Sequence, residues 1–72
     1  MVQISIRAAR VNTGLSQRDA ADRIGISTKT LSNWENGITF PPVDKIPVIC
    51  ALYGVSYDQL NFLPTDSLKA KG

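Results

Sequence analysis

The sequence predicts an all-α domain of five short helices, and three observations carry that prediction. Serines stand just ahead of apolar-periodic segments at positions 16, 27 and 56, where a hydroxyl can cap a helix start. Gly25, Asn36-Gly37 and Gly54 stand just after such segments, where a helix can end. Within the segments, apolar residues return at helical intervals, and nothing calls for a strand.

The first helix is expected over about residues 4–12, turning Ile6 and Ala9 inward. Ser16 opens the second, with Asp19 three residues on able to reach back in a carboxylate version of the capping box. Ala20, Ala21 and Ile24 form its apolar face, and the two small alanines permit another helix to approach closely. Gly25 ends it, Ile26 follows as a buried plug, and Ser27 caps a third helix over 28–35 with Leu31 and Trp34 facing inward. A turn this short forces a bent helix pair, the arrangement that presents a helix end to the DNA major groove. Asp44 is expected to cap a fourth helix running to Tyr53, with Pro47 in its first turn, where a missing N–H is harmless. Ser56 and Gln59 form a second capping box, opening a fifth helix through Tyr57, Leu60 and Phe62 that Pro64 ends. A polar tail then runs over 65–72.

Composition fits one small domain. Seventy-two residues, 43% of them apolar, support a single modest core without staples. No apolar run approaches the ~18 residues of a membrane helix, and the start lacks the charged and apolar regions of a signal peptide. One cysteine and no histidine exclude a zinc finger and a disulfide framework. Cys50 falls in an apolar run and reads as an inert buried thiol, in keeping with a reducing cytoplasm. The net charge of +2 resides in the front half, where Arg7, Arg10, Arg18, Arg23 and Lys29 face Asp19, Asp22 and Glu35. Residues 37–72 carry three charges of each sign. Salt-dependent phosphate affinity would therefore come from the front half.

The outer side of the third helix offers Thr28, Lys29, Ser32 and Asn33. Asparagine can bond adenine bidentately, lysine can donate to guanine, and threonine offers a hydroxyl and a methyl group. Taken in register, Leu15-Ser16-Gln17, Ala21, Ile24-Gly25, Ser27, Leu31, Trp34-Glu35 and Asn36-Gly37 resemble the phage-repressor and Cro-like helix-turn-helix family, also called the XRE family. The resemblance extends to Ile6, Ala9 and Arg10 on one side. On the other it reaches Pro42, Ala51-Leu52, Gly54-Val55-Ser56 and Leu60, so it covers roughly residues 4 to 63. It implies a compact, five-helix, lambda-repressor-like DNA-binding domain over 1–64, with the helix-turn-helix at helices two and three.

The resemblance also implies roles. Thr28, Lys29, Asn33 and Ser32 would touch bases. Gln17 would bond a phosphate and brace the recognition helix, with Ser16, Ser27, Asn36 and Arg18 in the same phosphate-contacting set. Arg10 and Glu35 would form a partly buried ion pair joining the first helix to the end of the third. One departure stands out: the family often carries lysine or arginine just after Gly37, where this chain has Ile38, Thr39, Phe40, Pro41 and Pro42. The Ile38 and Thr39 amides are left as the loop's phosphate donors.

A lone helix-turn-helix binds weakly, and dimers place two recognition helices roughly 34 Å apart on a palindromic site. Phe40, Tyr57, Phe62 and Leu63 are the expected dimer surface. The function expected is a sequence-specific, double-stranded-DNA-binding transcriptional regulator of the repressor or Cro-like kind, cytoplasmic and bacterial or phage-encoded. The alternative is a protein-interaction module, such as an antitoxin or adaptor on the same fold. No cofactor, metal or small-molecule ligand is indicated. An enzyme is not expected, because there is no histidine, paired carboxylate cluster or glycine-rich phosphate loop.

Overall fold

The computed structural model describes residues 3–61. They form a short strand β1 (Ile4–Ser5), helices α1 (Ile6–Thr13), α2 (Gln17–Ile24), α3 (Thr28–Glu35) and α4 (Ile46–Tyr53), and a second strand β2 (Leu60–Asn61). Single 3-10 turns at Val43–Lys45 and Tyr57–Gln59 flank α4. The helical character and the bent pair agree with the sequence.

Serine chemistry sets the first three helix starts. Ser5, Ser16 and Ser27 are each extended, and their hydroxyls accept from the N–H groups of Ala8, Asp19 and Thr30 at 3.0–3.1 Å. At Ser16 the bond runs one way. The Asp19 carboxylate does not return it, and instead sits in the first turn, where the positive end of the helix favours an anion. Gly25 adopts φ 89° at the end of α2, and the Gly25 and Ile26 amides both donate to the Ala21 carbonyl. These two hydrogen bonds turn the chain toward α3. Lys45 adds a further stop: its ammonium donates to the Ile24 carbonyl at 3.3 Å, at the negative end of α2.

Four expectations are corrected. The first helix begins at Ile6, because Ser5 caps it and Ile4–Ser5 instead pair in parallel with Leu60–Asn61. Two short strands therefore exist where none was called for. Asp44 does not cap the fourth helix; it lies inside a 3-10 turn that precedes α4, whose start has no side-chain cap. The expected fifth helix is one 3-10 turn among the described residues. Ser56 N–H and hydroxyl do donate to Gln59 Oε1, but Leu60 then extends (ψ 131°) to join β1. Its continuation to Phe62 and Pro64, and the tail over 65–72, lie outside the described residues.

The core is one cluster: Ile6 and Ala9 of α1, Ala20, Ala21 and Ile24 of α2, Leu31 and Trp34 of α3, Ile49 and Tyr53 of α4, and Leu60. Ala20 and Ala21 are fully buried against their neighbours, as small residues must be where helices cross closely. Leu31 has no exposed surface, which by area contributes about 2–3 kcal/mol. Trp34 is 96% buried in this core and is therefore a packing residue. Ile26 is half-buried at its edge. No helix among the described residues is long and apolar enough to cross a membrane.

Candidate nucleic-acid interface

Helix α3 is divided by its own period. Leu31, Trp34 and Glu35 turn into the protein, while Thr28 and Lys29 are exposed and Ser32 and Asn33 are half-buried beside them. The four side chains proposed to meet bases thus lie on one helix, two of them exposed. Each offers donors or acceptors suited to base edges in the major groove.

The expected backbone-contacting residues lie at the ends of α2 and α3. Ser16 and Arg18 are exposed at the start of α2, Ser27 at the start of α3 and Asn36 at its end. Their free capacity differs. The Ser16 hydroxyl caps α2. The Ser27 hydroxyl caps α3 and also pairs with that of Thr30 at 2.9 Å. Asn36 Nδ2 donates to Ser32 Oγ at 3.3 Å, tying two of the candidate residues together.

The loop after Gly37 requires a correction. Ile38 N–H donates to the Asn33 carbonyl at 2.9 Å, and Thr39 N–H points to the same oxygen at 3.4 Å. These amides finish the C-terminal end of α3, so they are not free phosphate donors. The side chains of Ile38 and Phe40 are 68% and 57% exposed and form surface instead of core.

Beneath the surface, Glu35 gathers the polar residues that frame α3. As the last residue of the helix it sits at the negative end, where a carboxylate is unfavourable without cations. Its side chain has no exposure at all. Arg10 Nε donates to Oε2 at 2.7 Å, and Arg10 Nη2 reaches Oε1 at 3.3 Å. Gln17 Nε2 donates to Oε1 at 2.9 Å, and Arg7 Nε lies 3.6 Å from the same oxygen. Arg10 Nη1 further donates to the Leu15 carbonyl, at the corner between α1 and α2. Sequence spacing could not have supplied the Gln17 and Arg7 approaches to this carboxylate, which depend on how three helices meet.

Tyr53 borders this cluster and was not singled out by the sequence. Its hydroxyl is buried with no hydrogen-bond partner. Burial, and secondarily the Glu35 charge, push its pKa up to about 12, against a smaller opposing effect of Arg10. Tyrosine in the unfolded chain ionises near 10, so stability is intact below that pH and is lost as pH rises toward 12. Wild-type protein should lose on the order of 1 kcal/mol by pH 11 from this residue alone. Tyr53→Phe should lack that loss and be no less stable at pH 8, where it removes an unpaired polar group. Urea unfolding of both proteins at the two pH values measures the difference; equal losses would exclude Tyr53 as the source.

The two hypothesised dimer residues that can be located, Phe40 and Tyr57, are both exposed. Phe62 and Leu63 lie outside the described residues. Tyr57 also lines an apolar groove with Val43, Ile46, Pro47 and Cys50. Cys50 is a free thiol that is half-buried there, not the wholly buried one expected from its apolar run.

Residues 6–60 match the helix-turn-helix family model. The HTH-type transcriptional regulator ImmR of Bacillus subtilis is 34% identical over 55 residues, which are 76% of this chain and 43% of the regulator. Antitoxin PezA of Streptococcus pneumoniae is 35% identical over 57 residues, 79% of this chain and 36% of the antitoxin. The chain thus spans less than half the length of these relatives. No solved structure matches it.

Proposed function

Because the chain belongs to the XRE-type helix-turn-helix family, we propose that it is a sequence-specific, double-stranded-DNA-binding transcriptional regulator. In this reading α3 enters the major groove. Thr28, Lys29, Ser32 and Asn33 meet bases, while Ser16, Gln17, Arg18, Ser27 and Asn36 meet the backbone. The observation that carries the reading is the division of α3, whose outer side is polar and whose inner side is anchored by Leu31, Trp34 and the buried Glu35.

Binding as a dimer to a palindromic operator, in the manner of a Cro-like repressor, completes the proposal. Among the described residues the exposed arginines and lysine are few, namely Arg7, Arg18, Arg23 and Lys29, so two subunits are needed for useful affinity. Phe40 and Tyr57, with Phe62 and Leu63, form the proposed contact.

A protein-interaction role is the second reading. Its support is the antitoxin relative together with the exposed apolar residues Ile38, Phe40, Val43 and Tyr57. Selection of bound sequences from random duplex DNA tests the two. An enriched palindrome is expected, and it would report operator, half-site spacing and dimer at once. A pool that stays random would reject operator binding in favour of the protein-partner role.

A further inference from the structure

We propose that Arg7 is a DNA-backbone contact, held ready by the Glu35 carboxylate and carrying the surplus charge of the buried cluster to the surface. The inference rests on the DNA-binding reading above and adds to it a residue that the family resemblance left out.

Two guanidinium groups face one carboxylate, so the cluster holds one positive charge in excess. Arg10 is consumed: its side chain is only 12% exposed, and it bonds both Glu35 oxygens and the Leu15 carbonyl. Arg7 is different. Its side chain is 57% exposed, and its 3.6 Å approach to Oε1 is too long for a hydrogen bond. Oε1 already accepts from Gln17 and Arg10 at shorter distances. An ion pair of that exposure contributes little to stability, and its planar fork of donors remains available for a phosphate.

Its neighbour fixes where that phosphate lies. Arg7 and the Gln17 amide converge on the same oxygen, from α1 and from the first residue of α2. A backbone phosphate meeting Gln17 therefore arrives beside an exposed guanidinium that shares its Glu35 counter-charge with Arg10. A phosphate offers Arg7 the bidentate acceptor that Glu35 does not.

The test is equilibrium binding of a random-sequence 25-base-pair duplex, followed by fluorescence anisotropy between about 50 and 200 mM salt. Arg7→Gln should lower the slope of log K against log salt by about 0.9 per bound subunit, and weaken binding about tenfold near 0.1 M. Arg23→Gln removes an equal charge from the last turn of α2 and should leave the slope unchanged. A wild-type slope in Arg7→Gln, or equal reductions in both variants, would overturn the proposal. Failure of the wild-type protein to bind the duplex at all would sink the DNA-binding reading itself. A thermal midpoint for Arg7→Gln close to wild type is expected from its exposure and separates binding from folding.

Discussion

Glu35→Ala is expected to destabilise the domain by about 3–5 kcal/mol, the largest effect of any single substitution considered. Its two buried methylenes are too small to explain such a loss. The cause is electrostatic: alanine leaves Arg10 charged, 12% exposed and without its carboxylate. The Gln17 amide loses its acceptor as well. A domain of this size holds about 4–10 kcal/mol in total, so the variant should lose a large part of its stability. Chemical denaturation measures the loss directly. The pair itself is not the source of the stability, because desolvating two charges consumes most of what their attraction returns. The double variant Arg10→Met with Glu35→Leu should accordingly recover most of the loss. A Glu35→Ala protein within 1 kcal/mol of wild type would refute this account, as would a double variant no better than the single one.

The second large effect concerns recognition. Lys29→Ala or Asn33→Ala should cost about 1–3 kcal/mol on the selected site, roughly five- to more than a hundredfold, and far less on unrelated DNA. Preference at the contacted base pair should relax. Gln17→Ala should instead weaken all sequences alike, since a phosphate contact carries no sequence information. Its effect has two parts, because the lost amide also serves Glu35. Competition binding with selected and scrambled duplexes separates the two classes. Unchanged operator choice in both Lys29→Ala and Asn33→Ala would mean that α3 is not the reading element.

The bent pair was legible because its signals are local. Ser16, Gly25, Ser27 and Asn36-Gly37 punctuate α2 and α3 within a few residues of the events they control. Errors arose where distant contacts decide. Ile4 fits a helical pattern, yet Leu60 draws it into a strand pair while Ser5 caps the helix behind it. Leu60 likewise leaves a capped turn that local chemistry would have continued as helix. In the candidate site, the outer residues of α3 follow from its periodicity. The convergence of Arg7 and Gln17 on Glu35 does not, since it joins three helices through one buried oxygen. Nor could the sequence reveal that the Asn33 carbonyl occupies the loop amides after Gly37.

The β1–β2 seam has a kinetic consequence. Ile4 pairs with Leu60 across nearly the whole described chain, and closing so long a loop costs on the order of 3–4 kcal/mol in entropy. Two residues on each side return little against that cost by themselves. A pairing this distant in sequence, beside packed α1 and α4, is expected to close late in folding and to open early in unfolding. The helix pair, built from contacts close in sequence, belongs to the opposite end of that order. The seam is thus expected to open and reclose while α3 stays packed.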